Sequence, residues 1–177
     1  MTHTSFTLWL TGMSGAGKST LSERVMARLR DGGAKAELLD GDVVRARLSP
    51  GLGFTRQDRD THVRRLGFVS ELLSRNGIIA VVAAISPYRD TRDEVKRRIP
   101  NFVEVFVECP LEVLAARDVK GLYKRALAGE VANFTGVSDP YEPPLDPSVV
   151  VHSGQESVDE SLEKIWTELE RRGLIAS

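Results

Sequence analysis

The chain has 177 residues, of which 41% are hydrophobic and 28% charged, and its formal net charge is −1. That length suits one domain, residues 1–177, with a substantial core, and the near-zero charge excludes a global field drawing the chain to nucleic acid or a membrane surface. The single cysteine, Cys109, excludes an intramolecular disulfide and fits a reducing compartment.

Residues 1–7 lack the charged and apolar regions of a signal peptide. The longest apolar stretch, Ile78 to Ile85, is too short for a bilayer. A cytoplasmic location is expected. In chain order the patterning predicts a strand at Thr7–Thr11, a helix at Lys18–Arg30 and a strand at Ala36–Asp40. Helices at Val43–Leu48 and Asp58–Arg75 follow, the second resting on Val63, Leu66, Val69 and Leu73 at helical spacing. Next come a strand at Ile78–Ala84, a helix at Thr91–Ile99 and a strand at Phe102–Val107. Helices at Leu111–Arg117 and Leu122–Leu127, a strand at Ser148–His152 and a helix at Ser157–Arg171 complete the set. Ser157 and Glu160 have capping-box spacing. Short apolar strands alternating with helices imply an α/β fold with a mostly parallel sheet covered on both faces. The segment from Gly129 to Pro147, rich in glycine and proline, reads as a long ordered loop of functional use.

Gly12-Met13-Ser14-Gly15-Ala16-Gly17-Lys18-Ser19 matches the Walker A pattern between a predicted strand and a predicted helix. Backbone amides of such a loop turn inward around phosphate oxygens, and the helix start adds its positive dipole end. Gly12, Ser14, Gly15, Ala16, Gly17 and Thr20 belong to this cradle. Lys18 is suited to the β and γ oxygens of ATP, and Ser19 to Mg²⁺. The fold expected is therefore a P-loop NTPase-type doubly wound sheet of about five strands.

A P-loop alone fits a kinase, a GTPase or an ATPase. The chain has no N-K-x-D base-reading motif and no apolar run ending in Asp-Glu. Its second strand ends in Asp40-Gly41-Asp42, where two carboxylates can accept a hydroxyl proton and hold Mg²⁺, Asp40 with Ser19 as the metal pair. Arg45 lies one turn after Asp42, and Arg59 and His62 share a helix face. Ile85-Ser86-Pro87-Tyr88-Arg89 follows the third strand, with Ser86 at the ligand edge. Arg117 and Lys120 offer charge for phosphates, and Phe134 a stacking face. A mobile cover over roughly 118–139 would exclude water.

Together these residues resemble adenylylsulfate kinase, from Leu8 to about Val151. The most specific segments are Ile85-Ser86-Pro87-Tyr88-Arg89 and Lys120-Gly121-Leu122-Tyr123-Lys124. Leu39-Asp40-Gly41-Asp42, Leu52-Gly53-Phe54, Phe134-Thr135-Gly136 and Pro140-Tyr141-Glu142 add to them. The resemblance implies phosphoryl transfer from ATP to adenosine 5′-phosphosulfate, with Asp42, Arg45, Phe54, Arg59, Ile85, Ser86, Lys120 and Phe134 contacting the acceptor and His62 beside them. It also implies a homodimer and an association with ATP sulfurylase. Ser86 matches a serine once proposed to carry the phosphoryl group; direct in-line transfer is the better mechanism. Three positions depart from the family pattern. Val43 and His62 stand where asparagines are common, and Ala84 where a phenylalanine is. A related kinase for gluconate or a nucleotide is the second reading, supported by His62 and Ala84. A degenerate kinase half of a sulfurylase assembly is the third, and the intact Lys18, Ser19, Asp40 and Asp42 stand against it.

Overall fold

The computed structural model describes residues 4–118 and 121–176. Five strands, β1 (Thr7–Thr11), β2 (Ala36–Asp40), β3 (Ile79–Ala83), β4 (Phe102–Glu108) and β5 (Val149–His152), form one sheet in the order β2-β3-β1-β4-β5. Every pairing is parallel. The helices are α1 (Lys18–Asp31), α2 (Gly41–Leu48), α3 (Arg56–Arg75), α4 (Arg89–Arg98), α5 (Leu111–Arg117), α6 (Leu122–Leu127) and α7 (Val158–Arg171).

Strand alternation divides the core between the two faces of the sheet. Leu8 and Leu10 of β1 pack with Val25 and Leu29 of α1 and Ile165 and Leu169 of α7. Trp9, between them in sequence, points the other way and packs with Val63 and Leu66 of α3 and Val95 of α4. α3 and α4 meet at Gly67, where a Cβ would lie 2.7 and 2.8 Å from the two methyls of Val95. Only a residue without a side chain permits that approach.

Differences from the expected boundaries have local causes. α2 begins at Gly41, two residues early, because the Asp40 carboxylate caps it through the amides of Asp42 and Val43. α3 begins at Arg56 because Thr55 accepts from the Asp58 amide. The Ser157–Glu160 capping box forms as expected. α4 starts at Arg89, whose amide donates to the distant Glu142 carboxylate at 2.8 Å. The Ile78 amide closes the end of α3 on Leu73 O, so β3 starts one residue later. Ser148 meets the Glu104 amide with its hydroxyl rather than its backbone, so β5 begins at Val149.

Parallel strands place their C-terminal ends together. Gly12, Asp40, Ala84 and Cys109 therefore open on one edge of the sheet, the edge where ligands bind in doubly wound folds.

Candidate active site

The phosphate loop leaves β1 at the centre of that edge. Gly12 passes so close to β4 that a Cβ would sit 2.4 Å from Val107 O. Lys18 bridges the loop, its Nζ donating to Met13 O at 2.7 Å. Ser19 Oγ donates to Asp40 Oδ2 at 3.4 Å, while Asp40 Oδ1 is held by the amides of Asp42 and Val43 at 3.0 and 3.1 Å. The helix cap thus fixes one carboxylate oxygen and turns the other toward the serine hydroxyl.

A cavity of about 410 Å³ opens beside this loop. Two arginines also line it. Arg45 donates to Gly53 O at 2.9 Å, and Arg59 to Phe54 O at 3.0 Å and Asn133 O at 2.6 Å. Both guanidiniums stand over the Phe54 ring, at 5.0 and 5.4 Å from its centroid. Burial lowers the pKa of each, and the charge of Arg59 lowers that of Arg45 further. Asp139, 3.7 Å from Arg59, offsets part of this. Two crowded, partly desolvated cations make a wall suited to an anion.

His62 is 5% exposed. Its Nε2 lies 3.1 Å from Gly41 O and its Nδ1 3.0 Å from Ser49 Oγ. The carbonyl can only accept, so Nε2 carries the proton and Nδ1 accepts from the serine. Burial, then the nearby Arg45 charge, push its pKa down to about 4. His62 is neutral, and its two ring nitrogens hold α3 to both ends of α2, at Gly41 and at the C-capping Ser49.

Ser86 adopts a left-handed φ of 44° and is 3% exposed. Its hydroxyl accepts from Trp9 Nε1 at 2.9 Å and donates to Ala84 O at 3.3 Å. Arg92 of α4 fixes the same turn. It is 1% exposed and donates to Ser86 O and to Glu142 O, each at 2.6 Å, and to Glu104 at 3.1 Å. Burial raises the Glu104 pKa against the opposing pull of Arg92. Pro140-Tyr141-Glu142 is thereby bound to Ile85-Ser86-Pro87-Tyr88-Arg89. Tyr141 shares a hydrogen bond with Thr11, and the Glu142 amide donates to Pro87 O at 2.8 Å.

The structure gathers most of the expected residues. Ser14, Gly15, Lys18, Ser19, Asp40, Asp42, Arg45, Phe54, Arg59, His62, Ile85, Ser86 and Phe134 all line the one cavity. Gly12, Ala16, Gly17 and Thr20 shape the loop and the first turn of α1 without lining it. Arg117 lies elsewhere, donating to Ser153 O at 2.8 Å beside Cys109, at the turn after β5. Lys120 lies outside the described residues. Sequence reasoning missed Arg92, and it named Tyr123 and Thr135 only as members of the family segments, without a role. Tyr123 donates to Ser14 O at 2.6 Å and meets the Phe134 ring edge-on. No local signal marks Arg92, which sits among charged neighbours on a helix.

A five-stranded parallel sheet, a phosphate loop after its central strand and an aspartate facing the loop serine define a P-loop kinase. Within that class the adenylylsulphate kinase family model matches residues 4–152, and the chain belongs to this family. It is 56% identical to an adenylyl-sulfate kinase of Rippkaea orientalis over 176 residues, covering 99% of this chain and 97% of the relative. A Sorangium cellulosum protein whose name describes a bifunctional SAT/APS kinase is 56% identical over 96% of this chain, which spans 29% of that protein. The APS kinase of Mycobacterium tuberculosis, solved in complex with AMPPNP and APS, superposes with a TM-score of 0.89 at 38% identity, covering 96% of this chain and 99% of that one.

Proposed function

We propose that the chain is an adenylylsulfate kinase, transferring the γ-phosphoryl group of ATP to the 3′-hydroxyl of adenosine 5′-phosphosulfate. The products are ADP and 3′-phosphoadenosine 5′-phosphosulfate. The observation that carries this reading is the shared cavity, lined by Lys18 and Ser19 of the phosphate loop together with Arg45 and Arg59. That arrangement suits two anionic substrates meeting over the Asp40-Gly41-Asp42 turn. The complex formed by the M. tuberculosis relative supports the same pair of ligands.

Lys18 takes the β and γ oxygens and stabilises charge on the transferring group. Asp42 is exposed to the cavity and is the better placed carboxylate to accept the 3′-hydroxyl proton, because Asp40 Oδ1 is committed to the α2 cap. Ser19 Oγ and Asp40 Oδ2 are two hard oxygens side by side, which fits Mg²⁺. No group of three or more His, Cys, Asp or Glu side chains gathers to hold a metal among the described residues. A Mg²⁺ at Ser19 and Asp40 would accordingly draw its other oxygens from phosphate and water, and would neutralise phosphate charge there. Arg45 and Arg59 orient the acceptor, with Ile85 and Phe134 beside it. The Ser86 hydroxyl, engaged by Trp9 and Ala84, supports direct transfer over a phosphoserine route. Arg117 is assigned to the ATP side, at the turn after β5.

The segment over about 118–139 acts as the lid of one catalytic unit spanning the chain. Val131–Thr135 line the cavity, and Arg59 and Tyr123 tie the segment to α3 and to the phosphate loop. Among the described residues no helix is long and apolar enough to cross a membrane, and we place the enzyme in the cytoplasm as a homodimer. The bifunctional Sorangium relative supports an association with a sulfurylase. The test is an ADP-release assay with adenosine 5′-phosphosulfate, gluconate and nucleoside monophosphates as acceptors. Turnover with adenosine 5′-phosphosulfate, well above the others, is expected; preference for gluconate or a monophosphate would overturn the assignment.

A further inference from the structure

Thr135 differs from the other buried polar side chains of the protein. Among the described residues, its hydroxyl is the buried side-chain polar atom without a hydrogen-bond partner. The residue is 3% exposed and lines the substrate cavity. Its surroundings are otherwise well satisfied. Gly136 N donates to Asp139 O at 2.7 Å, and Phe134 N to Ser138 Oγ at 2.9 Å. Asn133 O accepts from Arg59 at 2.6 Å. The orphan hydroxyl is therefore not a by-product of a poorly bonded loop. A buried hydroxyl without a partner is costly, and in a binding cavity the missing partner is supplied by what binds there.

The position of Thr135 says what kind of atom that is. On one side, its neighbour Asn133 is bound to Arg59 of the acceptor wall. On the other, Gly136 rests on Met13 of the phosphate loop, where an added Cβ would lie 2.5 Å from the Met13 sulfur. Thr135 therefore stands between the basic wall and the phosphate cradle, both built for anionic oxygens. We propose that Thr135 is a substrate-contacting residue whose hydroxyl donates to an anionic oxygen of a bound substrate at this junction. The oxygen belongs to the γ-phosphate of ATP or to the phosphosulfate of the acceptor. This deepens the kinase reading above and rests on it.

Thr135→Val keeps the side-chain shape and removes the hydroxyl, while Thr135→Ser keeps the hydroxyl. Steady-state kinetics with each substrate varied should show kcat/KM falling by about 10- to 100-fold in Thr135→Val, as for loss of a hydrogen bond to a charged group. Thr135→Ser should recover most of it. A change confined to ATP assigns the oxygen to the γ-phosphate, and one confined to the acceptor assigns it to the phosphosulfate. The ligand-free melting temperature of Thr135→Val should equal or exceed that of wild type, because no internal hydrogen bond is lost. Wild-type kinetics in Thr135→Val would overturn the proposal, as would a lowered ligand-free melting temperature together with losses that serine does not repair. A wild type inactive toward adenosine 5′-phosphosulfate would instead refute the functional reading. The melting-temperature rise on adding AMPPNP or the acceptor would then decide the role of the hydroxyl: a smaller rise in Thr135→Val supports the contact, and rises equal to wild type with both ligands overturn it.

Discussion

His62 joins α3 to the Asp40-Gly41-Asp42 turn as a neutral imidazole whose pKa is pushed down from 6.5 to about 4. Between those values the unfolded chain takes up a proton that the folded chain refuses. The group therefore adds no penalty above pH 6.5 and erodes stability as pH falls toward 4. The slope within that window is at most about 1.4 kcal/mol per pH unit. Thermal melts of wild type and His62→Gln from pH 7.5 to 5 should show wild type losing stability faster, and parallel curves would contradict the buried neutral histidine. Ser86 poses a different question. Ser86→Ala leaves the buried Trp9 N–H without its partner, which costs about 1–3 kcal/mol. Thermal melts should report that loss while turnover stays measurable and mass spectrometry finds no phosphoserine in the wild type during turnover. An acceptor-competent phosphoserine 86 would establish a covalent route. Lys18 and Ser19 were readable because a phosphate loop imposes fixed spacing on its residues, and Asp40 because it ends a strand at the ligand edge of the sheet. The role of His62 was only half readable: its place beside the acceptor wall followed from the helix face shared with Arg59, but its partners Gly41 and Ser49 come from other segments. Arg92 left no trace, since one arginine in a charged helix looks solvated until Ser86, Glu104 and Glu142 are seen around it.

At the level of elements, the strands were the most legible parts because a strand buried on both faces is a continuous apolar run. β1 and β2, with α5 and α6, keep the boundaries that patterning predicts. The helix starts shifted where a side chain capped earlier than the apolar pattern began, as at Asp40 and Thr55. The cap of α4 by Glu142 was not legible, being supplied from 53 positions away in sequence. Gly67 marks the contact between α3 and α4 that carries Arg59 and Arg92 into place. Gly67→Ala forces a methyl against Val95. It should lower stability by about 1–3 kcal/mol in chemical denaturation, and an unchanged midpoint would show that the two helices separate freely. The lid makes a prediction of its own. Arg59 donates to Asn133 O and pairs with Asp139, Tyr88 donates to Asp139, and Tyr123 of the segment donates to Ser14 O of the phosphate loop, contacts that suit the lid proposed above. Amide exchange over 121–139 should slow when ADP and acceptor are both bound, whereas equal exchange with and without ligands would make the segment a fixed wall.

The whole molecule turns one sheet edge into a meeting place for two anions. β1 carries the loop that cradles phosphate, β2 ends in the carboxylate pair, and the turn after β3 ends in Ser86. α2 and α3 bring the two arginines to the same cavity, which residues 131–135, after α6, also line. A formal charge of −1 over the whole chain means that this local cluster, and no general field, must attract the substrates. The most direct measurement follows the transferred phosphorus itself. Phosphorus NMR of wild type incubated with ATP, Mg²⁺ and adenosine 5′-phosphosulfate should show ADP and a new 3′-phosphomonoester appearing in equal amounts, with the phosphosulfate intact. Inorganic phosphate accumulating beside unchanged acceptor would contradict the account.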